Sequence, residues 1–260
     1  MATHTAPILD RIVESRRAWV EELKAKRPQD RTFADSPAVR DFRQALLGER
    51  VALIAECKER SPSGGLLQPG YNPVALARRY MANGASALSV LTEPHFFGGS
   101  LEHLRAVRSA VDIPILCKDF VIDPVQLTEA RVAGADAVLL IVAILGDGEL
   151  RSLYRQAIGL GMSAVVEVHD GAELDRALAI EPAIIGINNR DLTKMQTNKS
   201  TTARLRARIP PTCVVISESG IDSRKDIDEL ARLGVDAALV GESLLRAPDL
   251  DAKARELSGR

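Results

Sequence analysis

The chain has 260 residues, with 34 basic against 35 acidic side chains and a formal net charge of −1. Hydrophobic residues make up 46% and aromatic residues 3%, which excludes a disordered chain and leaves no net positive charge with which to collect the phosphates of duplex nucleic acid. No run of about 18 apolar residues occurs, so no membrane span is expected.

Residues 1–48 read as a helical extension. Ile8, Leu9, Ile12, Val13, Trp19, Val20 and Leu23 fall on one helical face. Ser36-Pro37 opens a second helical stretch that ends near Leu47-Gly48. Such a pair of helices can pack beneath the rest of the fold or cover an active-site mouth. The reading adopted is packing with some substrate contact.

From residue 49 to 260 one phrase recurs: a helix-like stretch, a glycine, a small or apolar residue, Ser or Asp, and an apolar run. A strand at 51–56 is followed by Gly84-Ala85-Ser86-Ala87-Leu88-Ser89-Val90-Leu91 and by a strand at 113–118. Gly134-Ala135-Asp136-Ala137-Val138-Leu139-Leu140-Ile141 and Gly161-Met162-Ser163-Ala164-Val165-Val166-Glu167-Val168 supply the next two. Strands at 183–188 and 213–218 precede the last copy, Gly234-Val235-Asp236-Ala237-Ala238-Leu239-Val240-Gly241. Gly ends each helix in the left-handed conformation, and apolar runs without alternation are strands buried on both faces. Asn72-Pro73, Asp123-Pro124 and Ser223 mark helix starts between them. Eight such units predict an α/β fold, a closed (β/α)8 TIM barrel with an N-terminal helical extension, spanning 1–260 as one domain. A doubly wound open sheet is the competing architecture.

In such barrels chemistry gathers at the carboxyl ends of the strands. Alternation along a strand gives Glu56 and Lys58 a shared face, and Lys118 and Phe120 another. The inward parity collects Glu56, Lys58, Lys118, Glu167, Asn188 and Arg190 into one ring. Lysines and glutamates in a partly dry pocket shift each other's pKa values and support proton transfer. After strands seven and eight, Ser219-Gly220 and Gly241-Glu242-Ser243 offer free backbone N–H groups of the kind that hold a phosphate in this fold. The polar loop Arg60-Ser61-Pro62-Ser63-Gly64-Gly65-Leu66 reads as a lid or as a plain surface loop.

Other features carry less. His4, His95, His103 and His169 lack ligand spacing, so no metal site is expected, and His169 reads as a surface residue near the rim. Trp19 reads as an anchor for the first helix. No Gly-x-Gly-x-x-Gly occurs, so no dinucleotide fingerprint exists. Cys57, Cys117 and Cys213 are odd in number and without Cys-x-x-Cys spacing; they read as core thiols of a cytoplasmic protein. The first residues show no secretory pattern. A monomer is the default expectation.

The motifs resemble those of indole-3-glycerol phosphate synthases. The resemblance rests on Ile54-Ala55-Glu56-Cys57-Lys58 with Ser61-Pro62-Ser63, on Ser89-Val90-Leu91-Thr92-Glu93 with Phe97-Gly98-Gly99-Ser100, and on Pro114-Ile115-Leu116-Cys117-Lys118-Asp119-Phe120. It continues through Glu167-Val168-His169, Ile187-Asn188-Asn189-Arg190-Asp191-Leu192, Ser217-Glu218-Ser219-Gly220-Ile221 and Val240-Gly241-Glu242-Ser243-Leu244. It implies a cofactor-free reaction of tryptophan biosynthesis, in which 1-(2-carboxyphenylamino)-1-deoxyribulose 5-phosphate cyclises with loss of CO₂ and water. By resemblance Lys118 is the general acid, Glu167 serves the dehydration, Lys58 pairs with substrate anions, Glu56 orients Lys58, and Asn188 holds the substrate hydroxyl. Ser219, Gly220, Gly241 and Glu242 grip phosphate, Phe120 lines the aryl pocket, and Arg190 and Ser61 assist in anion binding. Two departures stand out: the lid loop lacks a lysine common in relatives, and the run Lys194-Met195-Gln196-Thr197-Asn198-Lys199 is more polar than usual and lacks the acidic residue common near Asn198. The rival functions are another phosphate-binding barrel enzyme, such as a phosphoribosylanthranilate isomerase, and a non-catalytic metabolite-binding barrel.

Overall fold

The computed structural model describes residues 7–26, 36–191 and 196–260. Eight parallel strands close into a barrel: β1 (Ala52–Cys57), β2 (Ala87–Leu91), β3 (Ile115–Lys118), β4 (Ala137–Ile141), β5 (Ser163–Val168), β6 (Ile184–Asn188), β7 (Val214–Glu218) and β8 (Ala237–Val240). Each pairs with its sequence neighbours, and β8 closes on β1 through Ala52↔Ala237 to Ala55↔Val240. The open-sheet alternative is thereby excluded. Among the described residues no helix is long and apolar enough to cross a membrane.

Side-chain parity divides the core in two. Leu53, Ala55, Cys57, Leu88, Val90, Val138, Leu140, Val166 and Ile185 face the surrounding helices. Ile54, Leu116, Leu139, Val165, Ile216 and Leu239 fill the barrel interior. Cys57, Cys117 and Cys213 are buried free thiols, as expected. Helix starts follow the predicted caps. Asn72 Oδ1 accepts the Ala75 N–H at 3.0 Å, Asp123 and Gln126 form a capping box, and so do Ser223 and Asp226.

The extension departs from expectation in two ways. Its second helix is shorter, Phe42–Ala45, and starts at Asp41, whose carboxylate accepts the Gln44 N–H; the Ser36-Pro37 start does not hold. The backbone just before Asp41 is engaged elsewhere, because Arg131 and Arg108 donate to the Pro37 and Ala38 carbonyls and the Arg40 N–H donates to Asp136, so it is not free to form a helical turn. The two helices also do not travel together. Phe42 and Leu46 close the amino-terminal end of the barrel beside Ala52, Ala87 and Ala137, the residues that begin three strands. The helix Ile8–Lys26 lies instead at the carboxyl end. There Arg11 lies over the Phe96 ring at 5.5 Å, and Arg16 pairs with Asp119 at 3.1 Å. Arg16 also lies over the Trp19 ring at 3.8 Å, a contact within the helix, so it is Arg16 through Asp119 that ties the helix to the barrel. His4 lies outside the described residues.

Candidate active site

The carboxyl ends of the strands surround a cavity of about 500 Å³, a size suited to a small metabolite. β1 delivers Glu56 and, just beyond its end, Lys58; the two form a buried ion pair. β3 delivers Lys118 and, beyond Asp119, Phe120. β5 delivers Glu167 one residue before its end, while β6 ends with Asn188 and β7 with Glu218.

Lys118 occupies the centre. Its Nζ lies 3.3 Å from Glu167 Oε2 and 3.4 Å from Glu218 Oε2. Burial alone would lower its pKa, yet Glu167, Glu218 and Glu56 outweigh burial and hold the ammonium well above the usual lysine range. The two carboxylates are driven apart. Burial favours the neutral form of both; for Glu167 this is overcome by Lys118 and His169, with an Asn188 hydrogen bond, and its pKa falls. For Glu218 burial and the neighbouring Glu167 outweigh Lys118, and its pKa rises. Glu56 behaves like Glu167: burial is opposed by Lys58 and Lys118, and its pKa falls.

The strand end of β6 organises the next layer. Asn188 Oδ1 accepts the Ser219 hydroxyl at 2.9 Å and the Arg190 N–H at 3.0 Å. Arg190 reaches across the mouth, donating to Ser63 Oγ at 2.8 Å and lying 3.5 Å from Glu242 Oε2. Ser219 and Gly220 both take left-handed backbone conformations, with φ of 67° and 76°. Two such residues in succession turn the chain sharply after β7 and leave the cavity lined by backbone as well as by side chains. Ser243 donates to the Ile221 carbonyl at 2.8 Å, tying the loop after β8 to the loop after β7. Gly241 and Glu242 line the same corner of the cavity.

Phe97 and Phe120 form the apolar wall, with ring centroids 6.0 Å apart. Glu93 sets Phe97 in place: fully buried, it accepts the N–H groups of His95, Phe96 and Phe97. Among the described residues, none from the first helix lines the cavity, so its expected contact with substrate is not seen. The loop after β1 folds as a small ribbon, Arg60–Ser61 against Gly65–Leu66, with Ser61 Oγ accepting the Gly64 N–H at 3.0 Å. In the polar run after β6, Asn198 Oδ1 accepts the Ser200 N–H at 3.1 Å, supplying the acceptor that an acidic residue would supply there. Leu192, Lys194 and Met195 of that region lie outside the described residues.

All of the predicted ring therefore converges: Glu56, Lys58, Lys118, Glu167, Asn188, Arg190, Ser61, Phe120, Ser219, Gly220, Gly241 and Glu242 line one cavity. Glu218 in the lining, and His169, which touches Glu167 from outside it, escape the sequence reading. Glu218 shares the inward parity of Val214 and Ile216 and sits level with Asn188 in register, so alternation alone would have found it. His169 is not a surface residue. Its side chain is 13% exposed, and its Nε2 lies 3.4 Å from Glu167 Oε1.

A family model described as indole-3-glycerol phosphate synthase matches residues 9–257. The chain belongs to the indole-3-glycerol phosphate synthase family. Curated relatives bearing that name include one from Roseiflexus sp. (strain RS-1), 48% identical over 97% of this chain and 98% of its own length. Another, from Dehalococcoides mccartyi, is 47% identical over 96% of this chain and 99% of its own. Among solved structures, 3-hexulose-6-phosphate synthase from Salmonella typhimurium superposes with a TM-score of 0.65 at 16% identity, over 80% of this chain and 97% of that one. KGPDC from Streptococcus mutans gives 0.62 at 13% identity, over 81% and 96%. At such identities these two show the barrel alone. Indole-3-glycerol phosphate synthases are carbon–carbon lyases of tryptophan biosynthesis, and this chain is such an enzyme.

Proposed function

We propose that the cavity performs the synthase reaction with Lys118 as its general acid. The substrate, 1-(2-carboxyphenylamino)-1-deoxyribulose 5-phosphate, presents a carbonyl to its own aromatic ring. The ring carbon bearing the carboxylate attacks that carbonyl carbon, and the carbonyl oxygen gains negative charge. Lys118 donates a proton to it, and the Lys58 ammonium stabilises the charge beside it. Ring closure leaves an iminium on the anilino nitrogen. Loss of CO₂ sends its bonding pair into that electron sink and restores the aromatic ring. Dehydration follows: the new hydroxyl leaves with a proton from the Lys58 ammonium, which Glu56 orients, and Glu167, ionised, removes the proton that completes the indole. Asn188 holds the hydroxyl in line.

The observation that carries this reading is the position of Lys118 Nζ between Glu167 and Glu218, deep in a cavity whose other wall is aromatic. A strongly basic lysine makes a weak acid at rest. Entry of the substrate carboxylate and formation of the alkoxide bring the proton acceptor to it, so transfer occurs where charge develops. Arg190 and Ser61 stand at the mouth to meet the anthranilate carboxylate, and Phe120 receives the aryl ring. Ser219, Gly220, Gly241 and Glu242 hold the phosphate, the last two through backbone N–H groups. The Ser219 hydroxyl is engaged with Asn188, so its share in phosphate binding also runs through its backbone.

The division of labour is tested by chemical quench of Glu167→Gln during a single turnover. The expected result is accumulation of a species that has lost CO₂ and kept its hydroxyl. Arrest before CO₂ is lost would assign Glu167 to ring closure instead.

A further inference from the structure

We propose that His169 is a positioning residue for Glu167, clamped by Glu173 so that one carboxylate oxygen is held while the other faces Lys118. The geometry is a short chain. Glu167 Oε2 faces Lys118 Nζ at 3.3 Å, and Glu167 Oε1 faces His169 Nε2 at 3.4 Å. The other ring nitrogen, Nδ1, lies 3.0 Å from Glu173 Oε2. That same oxygen accepts the His169 backbone N–H at 2.8 Å. Both Glu167 Oε1 and His169 Nε2 are buried, and neither forms a hydrogen bond among the described residues, so the 3.4 Å approach is a contact of opposite charges.

The clamp is built into the local sequence. Glu167 and His169 lie two residues apart at the end of β5, so they share a face. Asp170 caps the helix Gly171–Leu178 and accepts the Glu173 N–H at 2.9 Å, which fixes the first turn of that helix against the strand end. Glu173 is thereby aimed back at the imidazole.

A ring with a carboxylate beside each nitrogen is favoured as the imidazolium. Burial opposes that charge, but Glu167 and Glu173 outweigh it and push the His169 pKa up to about 10. The charged groups acting on the chain are Glu167 and Glu173 on the imidazole, then Lys118 from β3 and Glu218 from β7 on Glu167, with neutral Asn188 from β6. A cation at Oε1 keeps Glu167 the ionised member of its pair with Glu218. It also prevents the carboxylate from rotating away from Lys118. This rests on the reading of Glu167 as a proton acceptor.

The test uses the full chain and its substrate in four forms: wild type, His169→Gln, Glu173→Gln and the double variant. Each single variant is expected to lower kcat about tenfold with KM within about twofold, because a buried charge contact that orients Glu167 is lost while substrate contacts remain. The double variant should lose no more than the worse single one, since both act through one chain. The acid limb of the kcat–pH profile should move to higher pH in His169→Gln, as Glu167 becomes easier to protonate. A His169→Gln enzyme with wild-type kcat and an unmoved acid limb, alongside an impaired Glu167→Gln, would overturn this proposal alone. A fully active Glu167→Gln would overturn the role of Glu167 and this proposal with it.

Discussion

At the scale of single residues, three glutamates in one cavity differ because of what each side chain faces. Glu56 and Glu167 each face a cation directly and remain carboxylates; Glu218 faces Lys118 and a second carboxylate at once, and burial then favours its neutral form. The same logic makes His169 a source of pH-dependent stability. Its folded-state pKa of about 10 lies above the ordinary 6.5, so the stability it contributes is complete below pH 6.5 and is lost as pH rises through 10. The difference in melting temperature between wild type and His169→Gln is therefore expected to narrow across that window. A difference that stays constant with pH would show that the imidazole carries no bound proton in the fold. Parity made most of this site legible in the sequence, since residues two apart at a strand end share a face. Parity alone does not say that His169, two residues past Glu167, remains buried. That depends on Glu173, one helical turn further along, folding back over it.

At the scale of elements, the chain holds its catalytic strand ends by polar contacts that bridge distant segments. Arg16 from the first helix and Asp119 from the loop after β3 form a pair that is almost wholly buried, and Thr92 from the end of β2 donates to the same Asp119 oxygen at 2.6 Å. Asp119→Ala leaves the guanidinium buried without its partner, and such a loss costs about 3–5 kcal/mol. Denaturant unfolding is expected to show that loss, whereas a change below about 1 kcal/mol would mean that Arg16 finds water on its own. Close packing is equally specific inside the barrel. A Cβ at Gly186 would stand 2.5 Å from Glu218 Oε1 and 3.1 Å from Val165 Cγ1. Gly186→Ala is thus expected to destabilise by about 1–3 kcal/mol through overpacking and to lower kcat by displacing Glu218 from Lys118. Unchanged stability and turnover would show that Glu218 has room to move. The extension was the least legible element. Periodicity marks the apolar face of the helix Ile8–Lys26, but the same face would serve at either end of a barrel. The Asp119 partner that fixes the choice lies far along the sequence.

At the scale of the whole molecule, eight repeats of one supersecondary phrase make a scaffold whose function is written at one rim. The strand repeats were readable because each carries its own glycine stop and apolar run, and the closed barrel follows from their number. The near-zero net charge hides a strongly divided interior, in which lysines and glutamates converge on one cavity while the surface remains mixed. That concentration of charge makes the central claim directly testable. Purified chain is mixed with 1-(2-carboxyphenylamino)-1-deoxyribulose 5-phosphate, and indole fluorescence is followed beside the Lys118→Ala variant. The account predicts turnover by the wild type and a loss of at least about a hundredfold in the variant, the contribution of a positioned acid. A Lys118→Ala enzyme with turnover close to that of the wild type would contradict it.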